Sequence, residues 1–275
     1  MKLRKGHSAR RRWALGLSAA AVTGTVLSGT MAAAAYAAPA QPTAPAQPAA
    51  PGQAAAPGQR AASGQAAAGG YTPASRTLKM GMHGADIKRL QRRLRQLGYY
   101  PGSADGHFGM DTEEAVWAFQ EVQNLHASGE ITWPVEKKLV YPSAPRALVR
   151  HGGSTRVEIS LGRHVLYVYH SNKTVLISHI SSGGGYYYCD SGCSYARTPT
   201  GNFHTTWRVH GWHTSPLGRM YNPVFFYRGY AVHGDTYVPL NPVSHGCVRV
   251  PMDVANIYPG LVPREGIPVY VRARG

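Results

Sequence analysis

"RVEISLGRHVLYVYHSNKTVLISHISS", residues 156–182, decides the fold class. Apolar side chains alternate through Val157, Ile159 and Leu161, and again through Val165, Tyr167 and Tyr169. A period of two sends successive side chains to opposite faces of a strand. Val, Ile and Tyr suit that geometry because branched and aromatic side chains pack on a pleated surface. Ser171-Asn172 is a turn, and "TVLISHISS" is the strand that follows it. Downstream, "VFFYRGYAVHG" (224–234) and "IPVYVRA" (267–273) carry the same signal, while "PMDVANIYP" (251–259) reads as a helix. Residues 150–274 are therefore expected to form a mainly β domain, a sandwich or open barrel with one or two short helices.

Upstream the period changes from two to about 3.6. In "ADIKRLQRRLRQLGYY" (85–100), Ile87, Leu90, Leu94 and Leu97 share one helix face, with Lys88, Arg92 and Arg95 opposite. Gly98 ends that helix. After the turn-rich "PGSADGHFG", "DTEEAVWAFQEVQNL" (111–125) opens on an Asp111 or Thr112 cap and buries Ala115, Ala118, Phe119 and Val122. "ITWPVEKKLV" (131–140) is a third, short helix that tolerates Pro134 in its first turn. Residues 76–142 thus read as a small three-helix bundle, so the chain is multidomain.

The N-terminal quarter has a different composition. Lys2, Arg4, Lys5, Arg10, Arg11 and Arg12 precede an uncharged run, and Ala35-Tyr36-Ala37 is an A-x-A cleavage site. Residues 1–37 are read as a secretory signal peptide whose removal leaves no stable membrane span. The alternative is an uncleaved anchor, but the run is only weakly apolar. Residues 38–75 are almost wholly Ala, Pro, Gln, Gly and Ser, too poor in large apolar side chains to offset ordering entropy. They are read as a disordered linker reaching up to about 100 Å when extended. Losing the signal removes six of the 29 Lys and Arg and none of the 13 Asp and Glu, so a surplus of ten bases remains. Such a chain seeks polyanions. For an exported protein an acidic cell wall is a better partner than nucleic acid.

Three cysteines, Cys189, Cys193 and Cys247, leave at least one thiol unpaired in an oxidising compartment. Cys189 and Cys193 lie in "CDSGC", where Gly192 allows a tight bend, and a local disulfide is expected. A zinc site from these cysteines and nearby histidines fits the common spacings poorly, and "HGWH" (210–213) offers no third ligand, so no metal and no other cofactor is expected. Cys247 is then the reactive thiol. A thiol near pKa 8.5 is only slightly ionised at neutral pH and needs a base or electropositive surroundings. His233, His245 and Arg249 supply both, and the residues alone do not choose between the two histidines. Gly246 lets a carbonyl approach the backbone, whose N–H groups can hold an oxyanion.

Two family resemblances follow. "GADIKRLQRRLRQLGYYPGSADGHFGMDTEEAVWAFQEVQNLHASGEIT" (84–132) resembles a peptidoglycan-binding domain in Leu90-Gln91, "LGYY", "DGHFG", Thr112, Ala115-Val116 and Phe119-Gln120. "AVHGDTYVPLNPVSHGCVRV" (231–250) resembles the L,D-transpeptidase signature in His233-Gly234 and Ser244-His245-Gly246-Cys247 with Arg249. "RTPTGNF" (197–203) and "MDVANIYPGLVPREGIPVYV" (252–271) extend that likeness.

The second resemblance implies a thioester on Cys247, formed from a stem tetrapeptide with loss of D-Ala and resolved by a neighbouring stem as a 3→3 peptidoglycan cross-link. His233 is implied as proton donor and acceptor, with its ring oriented by the Gly234 carbonyl. Gly246 and Cys247 amides are implied as the oxyanion hole. His245 and Arg249 are implied to shape the pocket, with Arg249 also suited to a substrate carboxylate, and Ser244 to support it. Tyr221, and less so Trp207, are candidates for lining the donor groove, and a Cys189–Cys193 bridge would stiffen a flap beside it. Also implied are stem peptides as donor and acceptor, wall contact through 76–142, a secreted location at the cell wall, and covalent inhibition by carbapenems. The alternatives are an L,D-carboxypeptidase, with water as acceptor, and a non-catalytic wall-binding protein.

Overall fold

The structure, a computed structural model, describes residues 70–190 and 192–274. The expected signal segment and most of the expected linker lie outside the described residues.

Three helices open the described chain: α1 (Ala85–Gln96), α2 (Met110–Val122) and α3 (Trp133–Val140). The α1 stripe is buried at Ile87, Leu90 and Leu94, and Arg93, on the flank of that stripe, donates through Nε to the Leu139 carbonyl at 2.8 Å. α2 starts earlier than expected. Its N-cap is Gly109, and Thr112 lies inside the helix, buried, where its hydroxyl accepts from Gln91 Nε2 at 3.1 Å and donates to the Pro101 carbonyl at 3.3 Å. That hydroxyl therefore joins α1 to α2 instead of capping. Composition also hides a short strap. Tyr71 and Ala74, inside the Ala-rich stretch, hydrogen-bond Glu136 of α3 through the Tyr71 hydroxyl at 2.8 Å and the Ala74 amide at 3.0 Å.

The β region contains β1 (Arg156–Ser160), β2 (Val165–His170), β3 (Lys173–His179), β4 (Tyr187–Cys189), β5 (Cys193–Tyr195), β6 (Gly201–His204), β7 (Trp212–Ser215), β8 (Gly218–Tyr227), β9 (Tyr230–Gly234) and β10 (Val248–Val250), then helix α4 (Met252–Leu261) and β11 (Pro268–Arg272). A five-stranded sheet runs β3-β2-β1-β11-β6 and a four-stranded sheet runs β10-β9-β8-β7, with β4-β5 forming a separate hairpin. Val157, Ile159, Leu166 and Val168 of the first sheet share one core with Val224, Phe226, Val232, Val248 and Val250 of the second and Val254, Ala255 and Tyr258 of α4. The expected sandwich is present.

The other face of β2 is also buried. Val165, Tyr167 and Tyr169, with Ile177 of β3, belong to the same apolar cluster as Leu90, Leu94, Tyr99, Phe119 and Leu139 of the helices. Ile177 donates its amide to the Gly98 carbonyl at 2.8 Å. The helices are therefore a third layer on the five-stranded sheet, and their core, which includes Leu78, Phe108, Val116 and Ile131, runs on without a break into Val165, Tyr167, Tyr169 and Ile177. Beside this seam, Glu121 of α2 lies 3.7 Å from His179 Nδ1, and burial holds the Glu121 carboxyl above its usual range.

Candidate active site

Strand register builds the site. β9 and β10 run parallel with Val248 beside Val232 and Arg249 beside His233. Alternation sends Val232, Val248 and Val250 into the sandwich core, where all three are fully buried. Ala231, His233 and Arg249 must then face the other way, and Cys247, one residue before β10, continues that side. Cys247, His233 and Arg249 line one cavity of about 620 Å³.

The loop carrying the thiol is braced by the continuation of β3. Ser181 pairs with Arg249 and Gly183 with Ser244. The Ser181 hydroxyl donates to the Asn241 carbonyl at 2.8 Å, and the Val243 amide donates to that hydroxyl at 3.2 Å. His179 adds a ring contact to the Pro239 carbonyl at 3.2 Å.

His233 is buried, and its Nδ1 lies 2.9 Å from the Gly234 carbonyl. A carbonyl only accepts, so Nδ1 carries the proton and Nε2 keeps a lone pair. Burial lowers the pKa of the ring below its ordinary 6.5, against the opposing pull of Gly234 and Asp235. The Cys247 thiol is partly exposed; its sulfur lies 3.7 Å from the Gly229 carbonyl and 4.0 Å from the Met220 sulfur. Desolvation pushes this thiol up, outweighing the Ala231 amide and Arg249, which favour the thiolate. Both shifts favour the uncharged forms, so the resting pair is a thiol and a neutral imidazole.

Ser244 supports the turn by hydrogen bonds, and in doing so takes Gly246 out of the role expected of it. The buried Ser244 hydroxyl donates to the Cys247 carbonyl at 2.6 Å and accepts from the Gly246 amide at 3.0 Å. That amide is therefore engaged, which leaves the Cys247 amide as the remaining oxyanion donor of the expected pair. Ser244 clamps the turn, and its hydroxyl is spent on backbone. Gly246 has φ +140°, a conformation L side chains rarely adopt, and a Cβ there would stand 2.5 Å from Tyr230 Cε1 and 2.9 Å from the Arg197 carbonyl. Gly246→Ala must displace the turn that holds the thiol. A misplacement near 1 Å costs on the order of 10²-fold, so acylation should slow by at least that factor, measured by stopped-flow mixing with a β-lactam. A rate within threefold of the parent would show that the turn tolerates the side chain.

Arg249 is paired with a residue that the sequence reading missed. Its Nε lies 3.2 Å from Asp235 Oδ2, and its Nη1 donates to the Tyr237 carbonyl at 3.4 Å. The only sequence signal for Asp235 is its position directly after His233-Gly234.

The far wall of the cavity is the β4–β5 hairpin. Cys189 and Cys193 form the expected disulfide, with an S–S distance of 2.06 Å. Tyr188 and Ser194 are cross-strand partners and both line the cavity, as does Asp190. His245 sits beneath this hairpin, its ring 4.7 Å from that of Tyr188 and 5.7 Å from that of Tyr186.

The expected order of the two groove aromatics is reversed. Trp207 lines the cavity, stacked on Phe225 at 3.6 Å. Tyr221 lies outside it, donating its hydroxyl to Asn256 Oδ1 at 2.9 Å and packing against Trp212. The β8–β9 pairing sets Tyr221 opposite Gly234, which turns the ring toward α4. Within "HGWH", His213 lines the cavity edge-on to Trp207.

Known proteins match in two places. The family model of a peptidoglycan binding domain matches residues 83–133, and that of the L,D-transpeptidase catalytic domain matches residues 154–271. A solved L,D-transpeptidase from Xylanimonas cellulosilytica is 35% identical with a TM-score of 0.67; the match covers 73% of this chain and 100% of that one. Among curated proteins, the N-acetylmuramoyl-L-alanine amidase CwlM of Mycobacterium tuberculosis is 44% identical over 48 residues, 18% of this chain. The carboxy-terminal processing protease CtpB of Bacillus subtilis is 41% identical over 54 residues, 20% of this chain. The chain spans only 12% and 11% of those two relatives.

Proposed function

As this chain belongs to the L,D-transpeptidase family, we propose that it forms 3→3 cross-links in peptidoglycan through a thioester on Cys247. Cys247 Sγ attacks the carbonyl between residues three and four of a stem tetrapeptide while its proton passes to His233 Nε2. The tetrahedral oxyanion is held by the Cys247 amide. When the C–N bond breaks, His233 returns that proton to the departing D-Ala amine. The side-chain amine of a second stem then attacks the thioester, His233 takes its proton, and the thiol is restored with it. No redox step and no external co-reactant enters this balance.

The observation that carries this reading is the parallel pairing that turns Cys247, His233 and Arg249 toward one cavity. The Gly234 carbonyl supports it further, because it fixes the tautomer that leaves Nε2 as the base. Arg249 offers its fork to a stem carboxylate, and Asp235 braces that guanidinium through Nε. We place the activity outside the cytoplasm, at the wall, reached through residues 1–37 and held there through the helical layer.

The deciding experiment incubates the mature protein with a defined disaccharide-tetrapeptide and reads the products by mass. Cross-linked dimer is the expected result; tripeptide alone would mean that water is the acceptor and the protein a carboxypeptidase. The acid limb of the same reaction tests the base. Neutral His233 is required, and its pKa is lowered, so activity should persist down to pH 6.5 and fall only below it. A midpoint at or above 6.5 would mean that His233 is not the titrating base.

A further inference from the structure

α3 leaves two large aromatic side chains in water, although most apolar side chains of the helical layer are buried. Trp133 is 67% exposed and Tyr141 76% exposed. Trp133 opens the helix, Tyr141 is the residue that ends it, and Lys137 stands midway, and all three line one cleft. At 1.5 Å rise per residue their Cα atoms are about 12 Å apart along the axis, a span on the scale of a disaccharide. Leu125, Pro134 and Lys138 complete a shallow cleft of about 430 Å³. Glu136, the acidic residue of the same helix, points away, accepting from Tyr71 and Ala74. Among the described residues neither lysine is paired with a carboxylate; Lys138 reaches only the Ser143 hydroxyl, at 3.4 Å.

We propose that this cleft is a binding site for a peptidoglycan glycan strand, with Trp133 and Tyr141 stacking on sugar rings and Lys137 and Lys138 meeting its carboxylates. This rests on the reading that the chain works at the wall, and it names where on the helical layer the wall is held. The chemistry is complementary on both counts. A pyranose offers a flat face of C–H groups to an aromatic ring while its hydroxyls stay in water. The stem-peptide carboxylates, and the lactyl carboxylates wherever a stem has been removed, are anions that can meet the two ammonium groups. A protein partner suits the site less well, since a specific protein interface buries roughly 1,000 Å² or more and this cleft is narrow and rimmed by two unpaired cations.

Co-sedimentation of the full chain with purified sacculi tests the site. Trp133→Ala and Tyr141→Ala should each weaken binding by about tenfold, the loss typical of a truncated anchor. The Lys137→Ala/Lys138→Ala pair should weaken it by about threefold and flatten its salt dependence, since surface charges are screened as ionic strength rises. Sacculi stripped of teichoic acids should bind as well as intact ones. All three variants should turn over soluble disaccharide-tetrapeptide at the parental rate, because none lies in the catalytic cavity. Parental binding by the two aromatic variants would overturn the proposal, as would loss of binding to stripped sacculi, which would assign the cleft to a phosphate polymer. Failure of the parent on soluble substrate would count against the catalytic reading alone and leave the binding result standing.

Discussion

Cys247→Ser is expected to lower turnover on stem peptide by more than about 10⁴-fold while leaving the thermal midpoint within about 1 °C of the parent. As the proposed nucleophile, Cys247 should carry a loss of this size because the rest of the site cannot compensate. An alcohol is a far weaker nucleophile than a thiol at neutral pH, and His233, depressed by burial, is a weak base with which to activate it. The fold should not register the change, because the thiol makes loose contacts with the Gly229 carbonyl and Met220, and a serine hydroxyl can also accept from the Ala231 amide. The same substitution should abolish a covalent carbapenem adduct, whose lactam carbonyl takes the place of the scissile amide. Intact-mass spectrometry should find one adduct on the parent and none on the variant. An adduct that survives the substitution, or maps to Cys189 or Cys193 after reduction, would move the nucleophile elsewhere.

Removing residues 76–142 is expected to unfold the catalytic part. A bundle whose core stopped at its own helices could be cut away at the cost of wall binding alone. Here the cut would bare Val165, Tyr167 and Tyr169 of β2 and Ile177 of β3, all within 4% of complete burial. At about 1.5–3 kcal/mol for each large apolar side chain, roughly 6–12 kcal/mol of burial is forfeited, comparable with the whole stability of a domain. The fragment 143–275 should therefore be insoluble or lack a cooperative thermal transition, and should not turn over soluble stem peptide. A milder change in the intact chain checks the same seam. Tyr99→Ala leaves a void between Phe119 and Ile177 and should cost about 3–5 kcal/mol in chemical denaturation. A fragment that melts cooperatively at the parental midpoint would show that the shared core is dispensable.

The fate of β2 explains what sequence could and could not convey. The alternation through Val165, Tyr167 and Tyr169 announces a strand, and a strand is found. Which layer covers each face depends on partners tens of residues away in either direction, and period alone carries no such information. Leu166 and Val168 face the second sheet while the tyrosines face the helices. The same limit applies at the site. His233 and Cys247 could be singled out because motif and spacing are local, and the β9–β10 register then brings them to one face. Ranking Tyr221 above Trp207 fails, because both sit near the groove in sequence and only the pairing of β8 with Gly234 turns one of them away. Asp235 went unnoticed because an aspartate in a loop has many uses, and its pairing with Arg249 is a matter of three dimensions.

The layer shared by the helices and β2 also has a mechanical consequence. With no hinge at that seam, any polymer gripped on the helical side meets the catalytic cleft at one angle and one distance, set by the fold. On the function proposed above, the molecule would work as a caliper: of the many stem peptides along a strand, those at that separation would be presented to the thiol and the others passed over.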